Sequence, residues 1–313
     1  MDDNKKLISV VVPIFNEEAM VTEIYERIAA ACQQVKNYRY EIVFFDDGST
    51  DGTRKALEEL CEKHDEVKCV FYARNFGYLK NTFYCLQQAK GDCAIIIHAD
   101  LQNPPELIPE FVEKWENGAQ IVQGVKNKSH ENRFVYFLRT IFYWIMIKFF
   151  GMKMTPHATE YELFDKSFID VLKKTKTNNP FLRGIVSEYA SNIDYIYYTQ
   201  DARKKGKSKF NFNKYYDFAI CGITQYSTGL PRKVILVCFF AILAIIAESC
   251  YTIISSFDFL DFISIRNAII LRVLFLAICL FIILVCVLFE FVISIMNNTI
   301  EKPFIVEEKR INY

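Results

Sequence analysis

Acidic side chains follow two apolar segments of this chain, at the point where each segment ends. Asp46 and Asp47 open the run DDGST directly after the apolar residues 42–45 of the segment 41–45, and Asp100 with Gln102 follows the apolar residues 93–97. Hard divalent cations prefer carboxylate and amide oxygens as ligands. The pattern therefore predicts a divalent cation site, with capping of the next helix by Asp100 and Asn103 as the alternative.

The phosphates of a bound ligand would be neutralised by a metal and by basic side chains. The chain has neither G-x-G-x-x-G nor G-x-x-x-x-G-K-[ST], so a glycine-rich phosphate loop is excluded. Residues 203–209, RKKGKSK, are strongly basic and precede a long apolar segment. Two interpretations stay open for this stretch. It is a solvated loop, or it binds anionic lipid headgroups or a substrate phosphate.

Apolar runs alternate with helical patterns through the first 125 residues. Strands are predicted over residues 7–13, 41–45, 67–72, 93–97 and 120–125, and Asn16 is placed to cap the first helix. This alternation predicts an α/β fold with a mostly parallel sheet and helices on both faces. Ligands of such sheets bind beyond the carboxyl ends of the strands, where the acidic residues lie.

Two apolar segments near the C-terminus are long enough to cross a bilayer. They cover residues 234–255 and 268–296, and positive charges before the first and after the second predict that both ends are cytoplasmic. The aromatic and basic stretch 133–150 is interpreted as a helix at the membrane interface, and 215–228 as a second one. Charged residues within or near the spans are expected to face protein, each other or the interface: Glu248, Arg272 and Glu290.

Charge and cysteine content narrow the class of protein further. Lys+Arg and Asp+Glu are both 37, so no nucleic-acid partner is expected. The ten cysteines contain no C-x-x-C pair, which favours a reducing compartment over a disulfide framework or a zinc site. The acidic N-terminus with its short apolar run does not fit a signal peptide.

Four motifs in order resemble family-2 glycosyltransferases with the GT-A fold. They are VVPIFNEE at 11–18, DDGSTDGT at 46–53, RNFG at 74–77 and ADLQNPPE at 99–106. FLRG at 181–184, GKSKF at 206–210, GIT at 222–224 and KPFIV at 302–306 resemble the polyprenyl-phosphate glycosyltransferase subgroup, which includes dolichol-phosphate mannose synthase and bactoprenol glucosyltransferase. The resemblance covers nearly the whole chain, and it is the ordered set that makes it specific.

The resemblance implies roles for individual residues. Asp100, Glu160 and Arg203 are implied to be catalytic, and Asp100, Gln102 and His98 to hold Mg²⁺ or Mn²⁺. The implied contacts of the nucleotide-sugar donor come from several strand ends and from the basic stretch: Pro13, Phe15, Glu17, Asp46, Asp47, Ala99, Lys126, Arg203 and Lys209.

The sequence departs from the family pattern in three places, two motifs and one single residue. The D-x-D motif reads His98-Ala99-Asp100, and His98 fits a metal ligand and a buried structural histidine equally well. The D-[FY]-R motif reads Glu160-Tyr161-Glu162, which lengthens one carboxylate and reverses the charge of an arginine. Lys126 stands where an arginine is usual. These changes bear on acceptor geometry and sugar choice more than on the class of reaction.

The resemblance implies an inverting transfer of a hexose, UDP-linked, to a polyprenyl phosphate at the cytoplasmic face of the bacterial inner membrane. The implied domains are a GT-A domain over 1–212, a juxtamembrane helix over 213–232, a transmembrane hairpin over 233–297 and a cytoplasmic tail over 298–313. The hairpin could also pack with copies of itself. Alternatives are a membrane-anchored nucleotide-sugar-binding protein with impaired catalysis, a processive polysaccharide synthase and a transporter. The synthase is disfavoured because its Q-x-x-R-W element needs a tryptophan, and none follows Trp144.

Overall fold

The chain is represented by a computed structural model of its 313 residues. The structure describes residues 5–128, 140–141, 143–149, 151, 155–199, 220, 222–224, 226, 230–254, 259–299 and 303–313. The chain forms two compact units. The first comprises Met1–Tyr143, Lys153–Tyr215 and Glu301–Tyr313, and the second comprises Trp144–Met152 and Tyr216–Ile300.

The first unit is built on an eight-stranded sheet with the order β7-β5-β6-β4-β1-β2-β3-β8. Six strands run in one direction, and β6 and β8 run antiparallel to their neighbours. The strands have these bounds: β1 Leu7–Ile14, β2 Arg39–Asp46, β3 Val67–Tyr72, β4 Cys93–Ile96, β5 Ile121–Lys128, β6 Ala158–Asp165, β7 Ile193–Thr199 and β8 Glu307–Ile311.

Helices connect the strands of this unit. Short 3-10 turns at Glu18–Met20 and Pro105–Leu107 lead into the first and fourth helices. The helices are α1 Val21–Cys32, α2 Thr53–Lys63, α3 Tyr78–Gln88, α4 Ile108–Glu116, α5 Lys166–Lys174 and α6 Leu182–Tyr189.

The central strands form because most of their residues are apolar. In β1, seven of the eight residues are buried, and Val10, Val11 and Val12 have no exposed surface. Strands that are covered on both faces have runs of apolar, often β-branched residues, rather than alternating apolar and polar residues. The same burial extends along β2 and β4, so the core places the carboxyl ends of β1, β2 and β4 side by side.

The five predicted strands are confirmed, with bounds shifted by three residues at most. The predicted cap at Asn16 is wrong. Asn16 has φ +50, its side-chain oxygen accepts from Thr50 N at 2.7 Å, and the first helical turn begins at Glu18. Strands β6, β7 and β8 were not anticipated. The last of them places Glu307–Ile311 in the sheet, inside the stretch interpreted as a tail.

The second unit contains two long helices, α7 Leu230–Ile254 and α8 Phe259–Thr299. Among the described residues, the segment Ile269–Asn297 of α8 is long and apolar enough to cross a membrane, and none of its most apolar stretch is buried. The matching part of α7 is the shorter apolar stretch Leu236–Glu248, so the predicted two-span hairpin is shown only in part. Glu248 and Arg272 face each other at 3.6 Å, as expected for charges on such helices.

Most of the two predicted interfacial helices lies outside the described residues. Within the first, Ile145–Phe149 forms a single π-helical turn, and Trp144 is 62% exposed. Both interfacial helices stay predictions.

Candidate active site

The turn after β2 is held by a buried carboxylate. Asp46 has no exposed surface, and its oxygens accept from Ser49 N at 3.1 and 3.2 Å and from Arg54 Nε at 2.9 Å. Burial raises the pKa of Asp46, while the hydrogen bonds from Ser49 and Arg54 oppose that rise. Asp46 therefore stabilises the turn, and its contact with a nucleotide stays a prediction.

Asp47 holds the loop that follows β3. Its two carboxylate oxygens accept from the backbone N–H groups of Phe76, at 2.7 Å, and Gly77, at 3.0 Å. Burial raises the pKa of Asp47 to about 6, and the two N–H donors offset part of that shift. Gly48 permits the close approach of the two loops, because an added Cβ would lie 2.5 Å from the backbone of Arg74 and φ is +72.

The end of β1 is joined to the same turn. Asn16 N donates to Ser49 Oγ at 2.8 Å, and Glu17 N donates to Thr53 Oγ1 at 3.0 Å. Of the predicted nucleotide contacts on this segment, Pro13 is buried inside β1, whereas Phe15 and Glu17 are half-buried just beyond the strand. The structure thus brings the strand-end residues of β1 and β2 together.

The predicted metal ligands follow β4 in a tight turn. Asp100 Oδ1 accepts from Gln102 N at 3.2 Å, and Leu101 between them has φ +54. His98, Asp100 and Gln102 are half-buried, whereas Ala99 is buried. The alternative role in capping is wrong, because no side chain caps either helical segment that follows and Asn103 instead accepts from the Tyr198 hydroxyl at 2.8 Å.

The side chains of Asp100 and Gln102 suit a hard divalent cation that is also coordinated by the phosphates of a bound substrate. Within the described ranges, no three His, Cys, Asp or Glu side chains lie close enough together to hold a metal ion. A partly accessible carboxylate with an amide oxygen two residues away suits Mg²⁺ or Mn²⁺ when waters and substrate phosphates fill the remaining positions. Asp100 and Gln102 would hold the metal in this way, whereas the part of His98 stays a prediction.

Sheet register brings Glu160 of β6 next to this turn. Ile96 of β4 pairs with Glu162 of β6 in antiparallel register, so the chain beyond β4 runs alongside Glu160. Glu160 is 7% exposed, accepts a short hydrogen bond from the Tyr78 hydroxyl, and lies 3.8 Å from Arg183 Nε. The Tyr78 hydroxyl also lies 3.2 Å from His98 Nε2. One chain of contacts therefore connects the metal turn to Glu160.

Glu162 does not reverse the local charge in the way the sequence indicated. It is 2% exposed and accepts from Gln123 Nε2 at 2.6 Å. Burial, followed by the nearby charge of Glu160, raises the pKa of Glu162 to about 8, so the group carries a proton at neutral pH. The fixed positive charge near Glu160 comes instead from Arg183 of α6, whose Nη1 donates to the Tyr143 hydroxyl at 2.9 Å.

Of the three basic residues predicted to contact the donor, the structure describes the position of one. Lys126 is half-buried on β5, and its backbone N–H donates to His157 O at 3.3 Å. Arg203 and Lys209 lie outside the described residues, so their proximity to the strand ends stays a prediction. Tyr78 and Arg183 were given no role from sequence. Arg183 lies within the FLRG motif, which was the one available signal, while nothing local marks Tyr78.

The strand-end carboxylates and the mostly parallel sheet flanked by helices have the arrangement expected of an α/β enzyme domain of the GT-A class. The family model described as Glycosyl transferase family 2 matches residues 9–171, which is more than half of the chain. This chain belongs to glycosyltransferase family 2, and the expected fold is confirmed.

Several known proteins are similar to this chain. It is 34% identical to the Bactoprenol glucosyl transferase of Shigella phage SfV, over 72% of this chain and 74% of that one. It is 33% identical to the glycosyltransferase YkcC of Bacillus subtilis, over 70% and 68%. The structure also resembles glucosyl-3-phosphoglycerate synthase from Mycobacterium tuberculosis in complex with Mn²⁺, UDP and phosphoglyceric acid, with TM-score 0.47 and 18% identity over 68% of this chain and 75% of that chain.

Proposed function

We propose that this glycosyltransferase moves a hexose from a UDP-linked donor to a polyprenyl phosphate, with inversion at the sugar carbon. The product would serve the modification of cell-envelope glycans. The observation that carries the proposal is the 34% identity, over 72% of the chain, to a protein named Bactoprenol glucosyl transferase. The candidate membrane span Ile269–Asn297 supports it, because a lipid acceptor requires an enzyme that works at the bilayer.

The donor would bind across the carboxyl ends of β1, β2 and β4. A divalent metal, when bound, neutralises charge on the departing nucleoside diphosphate. Asp100 and Gln102 would hold that metal, while Asp47 keeps the loop beside the nucleotide in place through Phe76 and Gly77. Cationic side chains would bind the remaining phosphate charge: Lys126, Arg203 and Lys209.

The nucleophile is an oxygen of the lipid phosphate, which does not require a strong general base. The second pKa of a phosphate monoester is about 6, so the oxygen is largely ionised at neutral pH without a strong base. It attacks the anomeric carbon from the face opposite the diphosphate. The new carbon–oxygen bond forms as the bond to UDP breaks, and UDP leaves with that electron pair. Glu160 orients the acceptor, and Arg183 supplies positive charge beside it.

The second unit would hold the enzyme in the membrane. The apolar surface of Ile269–Asn297 would face lipid, and the basic residues before the first apolar segment and after α8 would keep the catalytic domain at the cytoplasmic face. This makes the protein an integral membrane protein of the bacterial inner membrane.

Mass spectrometry of lipid products tests the proposed function. The purified protein is incubated with polyprenyl phosphate and a panel of nucleotide sugars, with Mg²⁺ or Mn²⁺ and then with EDTA. A product heavier by one hexose, formed from a UDP-linked donor and abolished by EDTA, is expected. Absence of any glycosylated lipid with every donor would refute the proposal.

Asp100→Asn tests the metal assignment in the same assay. Asparagine keeps the size of the side chain but lowers its affinity for a hard cation, so transfer should fall by roughly a hundredfold or more. Asp194→Asn is the matched control, because that carboxylate forms an exposed ion pair with Lys114 at 3.0 Å and should not affect turnover. Undiminished transfer by Asp100→Asn would defeat the metal assignment.

A membrane-anchored binding protein is the second candidate. It is favoured by the departures at His98 and Glu162, which alter two motif positions of the family. Isothermal titration with UDP-sugars, alongside the transfer assay, distinguishes the two candidates. Binding without turnover would support the second.

A further inference from the structure

We propose that Tyr78 is a positioning residue that links the donor side of the site to Glu160 and sets the orientation of that carboxylate toward the acceptor. The inference rests on the proposed transfer to a lipid phosphate. It assigns a task to a residue that neither the motifs nor the family membership singles out.

The first step is the position of Tyr78 in the chain. It is the first residue of α3 and directly follows Gly77, whose N–H donates to Asp47 Oδ2 at 3.0 Å. Phe76 N donates to the other oxygen of the same carboxylate at 2.7 Å. The carboxylate beside the proposed nucleotide pocket therefore fixes the backbone from which Tyr78 projects. A shift of this loop on donor binding would move the tyrosine with it.

The second step is the proton on the Tyr78 hydroxyl. A phenol has one proton to donate, and here it goes to Glu160 Oε2. The hydroxyl oxygen also lies 3.2 Å from His98 Nε2, so the tyrosine contacts the turn after β4 as well. Tyr78 thus joins that turn to Glu160 and fixes the orientation of the carboxylate.

The third step is the restricted freedom of Glu160. Its carboxylate is 7% exposed, with Arg183 Nε 3.8 Å from one oxygen and the Tyr78 hydroxyl on the other. A buried carboxylate held by two such groups has one orientation, and loss of either group permits others. Misplacement of an orienting group lowers the rate of the chemical step more than the affinity for a donor bound elsewhere in the site.

The Tyr78→Phe variant tests the role of the hydroxyl, with Tyr84→Phe as the matched control. Both residues lie on α3, and the Tyr84 hydroxyl donates to Glu307 at 2.7 Å, on the strand β8. Tyr78→Phe keeps the ring against His98, with centroids 5.4 Å apart in the wild type, and removes only the hydroxyl. Loss of a hydrogen bond to a charged group predicts a fall in kcat of roughly ten- to a hundredfold. The KM for the nucleotide sugar should not change. Tyr84→Phe should keep wild-type kcat and KM.

A double-mutant cycle then shows whether Tyr78 acts through Glu160. If it does, Tyr78→Phe combined with Glu160→Gln should be no slower than Glu160→Gln alone. The inference would be overturned if the effects of the two substitutions on kcat multiply in the double variant. It would also be overturned by a wild-type kcat for Tyr78→Phe, or by a fall in kcat that Tyr84→Phe matches. Thermal unfolding of each variant identifies loss of folding, which would appear as a lower Tm with kcat and KM both altered and would also count against a positioning role.

The proposed function and this inference fail in different ways. Absence of lipid-linked product from the wild-type enzyme overturns the proposed function, and the inference with it. Normal transfer by the wild type together with an unaffected Tyr78→Phe variant overturns the inference alone.

Discussion

Replacement of Glu162 by glutamine isolates the effect of one buried proton on the stability of the catalytic unit. Glu162 is 2% exposed, accepts from Gln123 at 2.6 Å, and has its pKa raised from 4.5 to about 8, first by burial and then by the charge of Glu160. Glutamine has nearly the shape of a protonated glutamate and keeps an acceptor oxygen for Gln123. It differs in having no proton to lose.

The sign of the effect follows from the raised pKa. Between pH 4.5 and 8 the folded chain keeps a proton at Glu162 that the unfolded chain releases, so stability falls as pH rises through this window. From the ordinary pKa of 4.5 up to pH 7 is about 2.5 pH units. At about 1.36 kcal/mol per unit, the wild type loses about 3 kcal/mol of stability over this range. Glu162→Gln should therefore be more stable than the wild type by about 3 kcal/mol at pH 7. The gain should vanish near pH 4.5 and below.

Thermal unfolding of the detergent-solubilised protein across this pH range measures the effect. For a domain of this size, 1 kcal/mol shifts Tm by roughly 2–4 °C, so a rise of roughly 6–12 °C is expected at pH 7. Glu41→Gln is the matched control, because this buried glutamate has a cationic partner, with Lys68 Nζ at 2.7 Å. That variant should lose stability at pH 7. A Glu162→Gln variant that is no more stable than the wild type at pH 7, or whose gain is the same at every pH, would refute the reasoning.

Two further substitutions test the turn after β2. Gly48→Ala should destabilise the protein by about 1–3 kcal/mol, because the new Cβ would meet the Arg74 backbone and the left-handed φ disfavours alanine. Gly118→Ala also has a positive φ but open space around it, and should lower Tm less. Arg54→Ala leaves the buried Asp46 carboxylate without its cationic partner. It should lower the free energy of unfolding by about 3 kcal/mol, as measured by thermal unfolding. Equal losses at Gly48 and Gly118, or a wild-type Tm for Arg54→Ala, would contradict these assignments.

The first five strands and the carboxylates at their ends could be predicted from sequence because these strands contain short, mostly apolar runs. The observed β1 to β5 follow those runs, and Asp46, Asp47 and Asp100 lie at or just beyond strand ends, as expected. The later strands gave no such signal. β6 carries Glu160 and Glu162 at buried positions, so its composition does not indicate a core strand.

The edge strand β8 was missed for a different reason. Four of the five residues in its sequence EEKRI are charged. Its place in the sheet depends on partners distant in sequence, such as Lys309 with Glu58 at 2.8 Å and Glu308 with Arg54 at 2.9 Å. Charged edge strands are common because they discourage pairing with other chains. Hydrophobic periodicity contains no information about such pairing.

The contacts around Glu160 could not be predicted because they join separate elements. Tyr78 on α3 and Arg183 on α6 lie beside the Glu160 carboxylate, and His98 after β4 contacts the Tyr78 hydroxyl. Only the packing of these elements in the fold brings them together. The charge of Glu162 could not be predicted either, because its raised pKa depends on burial and on the nearby charge of Glu160, while the hydrogen bond from Gln123 opposes the shift. Sequence identified the residue types, and only the fold gave their charge and their neighbours.

The most direct test of the account is the mass of the lipid recovered after the enzyme is incubated with polyprenyl phosphate, a divalent cation and UDP-hexose. The account predicts a lipid phosphate heavier by one hexose with the wild-type enzyme and almost none with Asp100→Asn. Free hexose with unmodified lipid, or equal product from both enzymes, would contradict it.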